Sequence, residues 1–249
     1  MGTRPPIMGI AGEHVKPRRS PRPWAAEIYN RPVKSKILCA GRPMSAVVLA
    51  GGRGSRMKAD KAGLAVAGRT LLEHVLAQLE PHFDEVLVSV SPGQGVGTAK
   101  TRREPAGTRS VARRQSRGLR IVEDEVPGLG PLGGILAGLR AASNEVCAVV
   151  ACDIPDIDIP LLRSLAGAAA EAEIAVPVDP AERYEPLFAV YKRTVVPAVE
   201  ALLRSGENSV LPLYERCRTA VVAIEGGRRL TNLNTRADYL NYLNSLRPK

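Results

Sequence analysis

Residues 47–61 read VVLAGGRGSRMKADK: an apolar run that stops at a glycine pair and passes into Arg53, Arg56, Lys58 and Lys61. The apolar part fits a short buried strand. Glycines 51, 52 and 54 then allow positive φ and a close backbone approach, so that consecutive N–H groups can face an anion. Phosphate suits that setting, since arginines grip phosphoryl oxygens in pairs of hydrogen bonds. The alternative is a tight turn with solvated basic residues. A Walker loop, GxxxxGK[ST], is absent, which argues against a P-loop ATPase.

Outward from this stretch the pattern alternates. SAVVLA (45–50) reads as a strand and TLLEHVLAQLEPHF (70–83) as a helix behind the N-cap Thr70, with Leu71, Leu72, Val75, Leu76 and Leu79 on one face. EVLVSV (85–90) and LRIVED (119–124) read as strands and GGILAGLRAA (133–142) as a helix; EVCAVVACD (145–153) is a strand apolar on both faces. A helix near 159–171, a strand at 173–178 and a closing helix near 235–246 continue the series. The fold class predicted is α/β: an open, mainly parallel sheet with helices on both faces, of Rossmann-like type. Ligands in such sheets sit at the carboxyl ends of the strands.

The 249 residues carry a net charge of +10, unevenly placed. Residues 1–43 contribute +7 and residues 93–120 another +7, leaving −4 for the remainder. Both basic segments lack a sustained hydrophobic period, so the domain expected is 44–249, with a flexible basic extension at 1–43 and a basic loop insertion at about 93–118. Met44, directly before the first strand, is a candidate translation start. Neither segment interleaves aromatic residues with its charges, which weighs against single-strand nucleic-acid binding. No apolar run reaches the roughly 18 residues of a membrane span and no secretory signal is visible, so the expected location is the cytoplasm. Four cysteines without a CxxC pair or a His cluster read as reduced, mostly buried thiols.

Three further motifs bear on chemistry. GLGPLG (128–133) matches GxGxxG, but Glu123 to Glu125 would meet a pyrophosphate with like charge, which counts against a dinucleotide site. In VVACDIPDID (149–158) a carboxylate ends an apolar strand, placing Asp153 at the ligand edge, where one carboxylate plus water and substrate phosphates suffices for Mg²⁺. The competing reading is a helix N-cap or turn aspartate, a role open to Asp156 or Asp158 as well. LTNLNTRADYLNYL (230–243) puts Asn232 and Asn234 ahead of a helix, as caps or as metal or substrate contacts.

In this order LAGGRGSRMKADK, GPLGG, ACDIP and NLNT resemble the MobA-like nucleotidyltransferases, the family of molybdenum cofactor guanylyltransferase, over about residues 45–246. The resemblance implies a Mg²⁺-dependent enzyme that transfers GMP from GTP to the phosphate of molybdopterin, with partner proteins that deliver or receive the cofactor. It implies a nucleotide-binding set of Leu49, Ala50, Gly51, Gly52, Lys61, Asp124 and Asp153, with Asp153 as metal ligand. Arg56, Lys61 and Asp153 are the catalytic candidates, and Asn232 and Asn234 match the element associated with the pterin and metal side. Ser89 stands where guanylyltransferases often show an asparagine. Within the family the alternatives are a cytidylyltransferase or another phosphorylated acceptor; outside it, a nucleic-acid-binding protein on an inactive transferase scaffold.

Overall fold

The five residues before the glycine loop are all buried, and so are all six of the strands on either side of them; no side of this region faces water. Such two-sided burial belongs to the middle of a parallel sheet covered by helices on both faces. A computed structural model describes residues 36–50, 61–92, 119–124, 129–227 and 229–246. Its central sheet has seven strands: β1 (Ser45–Leu49), β2 (Glu85–Val90), β3 (Leu119–Glu123), β4 (Val146–Ala151), β5 (Ile174–Val178), β6 (Phe188–Lys192) and β7 (Thr219–Ala223). The spatial order is β7-β5-β6-β4-β1-β2-β3. All neighbours are parallel except β6, which is antiparallel to both β4 and β5.

From β1 the chain moves outward through β2 to β3, then crosses back to β4 on the other side of β1. The sheet therefore has its topological switch between β1 and β4, where a crevice opens at the strand ends. Leu49 pairs with Ala151 there, and the Cys152 N–H donates to the Leu49 carbonyl at 3.0 Å.

Helices α1 (Leu71–Leu79) and α3 (Ile159–Ala168) pack with Val48, Val88 and Val150 on one face of the sheet. On the other face α2 (Gly130–Ala141), α4 (Val196–Arg204) and the short α5 (Leu213–Arg216) pack with Val47, Leu87 and Val149. The predicted capping residue holds: the Thr70 side chain accepts from the Glu73 N–H at 3.2 Å, and Glu73 answers by accepting from the Thr70 N–H at 2.9 Å. α2 begins three residues earlier than the periodicity suggested, because Pro131 sits in its first turn, where a missing N–H is harmless. The closing helix α6 (Arg236–Ser245) docks through Tyr242, which packs with Val66, Leu71 and Leu233.

One expectation changes. Residues 36–43 are not part of a flexible tail: Leu38–Cys39 pairs with Arg42–Pro43, and Ile37 and Cys39 enter the core. The Ile37 N–H donates to the His82 carbonyl at 3.0 Å, so the folded unit starts before Met44. Residues 1–35 and the basic insertion at 93–118 lie outside the described residues. β6, FAVYK, a strand not singled out from the sequence, is the antiparallel member of the mainly parallel central sheet that was expected. None of the four cysteines is in a disulfide, and three of them are buried, as expected; burial pushes the Cys147 thiol up to about 12. Among the described residues, no helix is long and apolar enough to cross a membrane.

Two contacts fix the sheet from below and from the side. At the amino ends of the strands, Glu85 accepts from Ser45 Oγ, Ser143 N, Ser143 Oγ and Arg120 Nη1. Burial pushes this carboxyl up, but the hydrogen bonds outweigh it and the net shift is downward. On the α2 face, a Cβ added at Gly138 would lie 2.4 Å from Val47 Cγ1, so the helix axis rests directly on β1.

Gly138→Ala should destabilise by roughly 1–3 kcal/mol through overpacking, more than the gain of up to about 1 kcal/mol in helix propensity. Urea titration should show a lower midpoint at unchanged slope. Glu85→Gln should cost roughly 1–3 kcal/mol at neutral pH. Because the folded Glu85 has the lower pKa, its contribution is complete above the unfolded value of about 4.3 and is lost as pH falls through the folded value. The variant should therefore show a flatter acid limb in its stability–pH curve.

Candidate active site at the sheet switch point

Each residue at the carboxyl edge arrives from a different segment. Asp153 follows β4 within a turn in which the Ile154 N–H donates to the Ala151 carbonyl. The helix-capping role falls elsewhere, since Asp158 accepts from the Leu161 N–H at 3.0 Å and starts α3. Asp156 is taken by the Tyr242 hydroxyl at 2.7 Å. Asp153 is left to face the crevice.

Lys61 enters from the far end of the glycine loop, in a single turn of 3₁₀ helix, Lys61–Gly63. Its ammonium donates to Asp153 Oδ2 at 2.8 Å and to Asn234 Oδ1 at 3.4 Å. Both side chains of the ion pair keep partial access to solvent, 18% and 22%. Asn234 is free for this because Thr235 is the actual N-cap of α6, in a capping box with Asp238. The Leu233 N–H donates to the Asp153 carbonyl at 2.8 Å, so the NLNT segment is tied to Asp153 through the backbone as well.

A second group lies at the ends of β1 and β2. Ser89 Oγ donates to Asp124 Oδ1 at 3.0 Å, and the Asp124 N–H donates to the Val90 carbonyl. Burial raises the pKa of Asp124, with the Ser89 hydrogen bond opposing. The glycines of α2 wrap this carboxylate: a Cβ at Gly133 would sit 3.4 Å from Asp124 Oδ2, and one at Gly134 would sit 3.1 Å from both Ser89 Oγ and Leu49 Cδ2. GPLGG thus serves close packing of a helix around Asp124. Leu49 and Ala50 complete this side, with the Ala50 N–H donating to the Ser89 carbonyl at 2.8 Å.

Of the residues singled out from sequence, Lys61, Asp153 and Asn234 come together directly. Leu49, Ala50, Asp124 and Ser89 line the neighbouring β1–β2 side. Gly51, Gly52 and Arg56 lie outside the described residues. Asn232 is hydrogen-bonded to Glu185, a residue that sequence reasoning passed over. Burial raises the Glu185 pKa, the Asn232 hydrogen bond opposes it, and the nearby charges of Asp179 and Asp153 add to the rise. The segment VDPAERYEP (178–186) that carries it has no hydrophobic period; its only signal was a proline-bearing turn rich in charge.

The donor set fits a hard divalent cation. Asp153 Oδ2 and Asn234 Oδ1 are oxygens already shared by one positive charge, the Lys61 ammonium. No group of three or more His, Cys, Asp or Glu able to hold a metal occurs among the described residues, so a cation here would rely on one carboxylate, an amide oxygen, water and substrate phosphates, the pattern of Mg²⁺ rather than of zinc.

Comparison with known proteins bears on the fold and the family. The model of the MobA-like NTP transferase domain matches residues 46–220. A probable molybdenum cofactor guanylyltransferase of Pelotomaculum thermopropionicum is 36% identical over 199 residues, 77% of this chain and 88% of that protein. Among solved structures, molybdopterin-guanine dinucleotide biosynthesis protein A from Archaeoglobus fulgidus superposes with a TM-score of 0.65 at 24% identity, covering 81% of this chain and 98% of that one. The 2-C-methyl-D-erythritol 4-phosphate cytidylyltransferase of Thermus thermophilus shares the fold at a TM-score of 0.58 and 22% identity, over 83% of this chain and 100% of that one. With the family model matching residues 46–220, well over half of the chain, the chain belongs to the MobA-like NTP transferase family and is a nucleotidyltransferase.

Proposed function

We propose that this enzyme transfers GMP from GTP to the phosphate of molybdopterin and releases pyrophosphate. The observation that carries the reading is the convergence of Lys61, Asp153 and Asn234 at the sheet switch, beside a carboxylate pocket built from Ser89 and Asp124. The names of the relatives support the reaction and the acceptor class.

An oxygen of the acceptor phosphate attacks the α-phosphorus in line; the bond from that phosphorus to the bridging oxygen breaks, and its electron pair leaves with pyrophosphate. The acceptor is an ionised phosphate, so no residue has to remove a proton. Mg²⁺ bound at Asp153, with Asn234 as second ligand, would supply neutralisation of charge on the reacting phosphates. Lys61 is released from Asp153 to the triphosphate, where its ammonium opposes the charge growing on the leaving group. Gly51, Gly52 and Arg56 are assigned to the same phosphates, with Leu49 and Ala50 forming the wall next to the nucleoside.

Base choice is assigned to Asp124. Its carboxylate is acceptor-only when ionised. Guanine offers two adjacent donors, N1–H and the 2-amino group, whereas cytosine pairs its amino donor with the acceptor N3, which would face the carboxylate with a repelling lone pair. This favours GTP over CTP with serine in place of asparagine at 89.

Calorimetry with GTP, CTP and ATP, with and without Mg²⁺, should show selective and Mg²⁺-dependent binding of GTP. Preferential binding of CTP would move the enzyme to the cytidylyltransferase reading, and binding of no nucleotide would remove the proposal. Lys61→Ala and Asp153→Asn should each lower kcat by about 10²–10³ while the thermal transition stays cooperative. Asp124→Asn turns one acceptor into a donor and should narrow the GTP/CTP affinity ratio by about tenfold or more, equivalent to roughly 1–3 kcal/mol of lost discrimination.

A further inference from the structure

On the side of Asp153 away from Asp124, the turn between β5 and β6 carries an arrangement that the nucleotide half of the site does not use. Asp179 is buried, its side chain 1% exposed, yet it holds two arginines whose side chains are 56% and 59% exposed. Its Oδ1 accepts from Ala181 N at 2.8 Å and Arg183 N at 3.1 Å, which shapes the turn. Its Oδ2 accepts from Arg183 Nε at 3.0 Å and Nη2 at 2.6 Å, and lies 3.3 Å from Arg229 Nε. The turn is closed by the Asp179 N–H on the Arg183 carbonyl and by Glu182 in the left-handed region, φ 58°.

Shaping the turn requires only the two backbone N–H groups on Oδ1. The buried Asp179 carboxylate needs a cation beside it, a task that Arg183 with its two hydrogen bonds already meets, so the second arginine on Oδ2 is left over for another role. What the arrangement does achieve is a pair of exposed guanidiniums held at one fixed point, the Asp179 carboxylate, with Glu185 as a second acidic neighbour of Arg183. Hydrogen bonds from the Arg183 guanidinium lead in holding the Asp179 carboxyl down at about 2, so the unit keeps its form at any working pH. Position strengthens the case. β6 begins beside the end of β4, where the Ala151 N–H donates to the Leu187 carbonyl at 2.7 Å, and Glu185, two residues after Arg183, feels the charge of Asp153 and is hydrogen-bonded to Asn232. Arg229 is three residues before Asn232, on the segment that leads to Asn234.

We propose that Arg183 and Arg229, fixed on Asp179, form the anion-binding part of the acceptor subsite, gripping the negatively charged acceptor on the β4–β6 side while the nucleotide occupies the β1–β2 side. This rests on the nucleotidyltransfer reading above and adds the residues that recognise the second substrate. Guanidinium pairs suit a phosphorylated acceptor because each can donate two parallel hydrogen bonds to one anionic group. The exposed Tyr184 next to Arg183 in sequence, packed edge-on against Tyr214 at 5.3 Å between ring centroids, offers a flat neighbour to a planar acceptor.

The test uses the full-length enzyme with molybdopterin as acceptor and GTP as donor. Arg183→Gln and Arg229→Gln should each raise the acceptor KM about tenfold, the loss of one charge-assisted contact, with the GTP dissociation constant unchanged and the thermal transition still cooperative, though lowered where Arg183 is lost from the buried Asp179. Arg183→Lys should recover only part of the loss, since it keeps the charge and forfeits the paired geometry. An unchanged acceptor KM in both glutamine variants, with GTP binding intact, overturns the assignment. A rise in the GTP dissociation constant equal to that for the acceptor also overturns it, by placing the arginines on the nucleotide side. Failure of the parent enzyme to bind GTP at all counts against the underlying reaction instead.

Discussion

Asp153 gathers the site by two different bonds. Its carbonyl holds the Leu233 N–H, and its carboxylate holds the ammonium of Lys61, which in turn reaches Asn234. Remove that residue and three segments, the end of β4, the exit of the glycine loop and the approach to α6, lose their common point. The buried sheet below it makes this possible: with β1, β2 and β4 buried on both faces, the strand ends cannot shift sideways, and polar groups can be presented at the edge without disturbing the core.

The two sides of Asp153 are built in contrasting ways. Toward β2 the chemistry is enclosed: Asp124 sits under glycines where even a Cβ would make tight contacts of 3.0–3.4 Å, with one serine donor and a carboxyl whose pKa burial raises. Toward β6 it is open, with two exposed arginines on a buried anchor. A pocket that must tell one base from another gains from exclusion of water, because an unpaired polar group there is costly. A surface that must attract an anion gains from exposed charge, since steering acts through solvent.

Much of this was legible in the sequence where a local rule applied. The apolar strand at 45–49, the N-cap Thr70 and the strand-end aspartate each carry their signal within a few residues, and each proved to be where periodicity and capping chemistry put it. What sequence could not show depended on distant partners. Lys61 and Asp153 are 92 residues apart, and nothing local says that Asp158 rather than Asp153 would cap α3. Ile37 and Cys39 sit among prolines and basic residues, so their burial against the sheet was invisible to any window average. FAVYK has the composition of a parallel core strand, and its reversal is decided by the five-residue turn that Asp179 organises.

That reversal has an effect beyond pairing. A crossover between parallel strands returns the chain to the far end of the sheet, whereas the β5–β6 hairpin keeps its turn at the ligand edge. Hairpin tips accept insertions and replacements at small entropic cost, because the strands they join are already held by neighbours. One antiparallel strand therefore makes the second half of the crevice a replaceable module, so that descendants of such a scaffold can change what they act upon while the glycine loop and its pocket stay as they are.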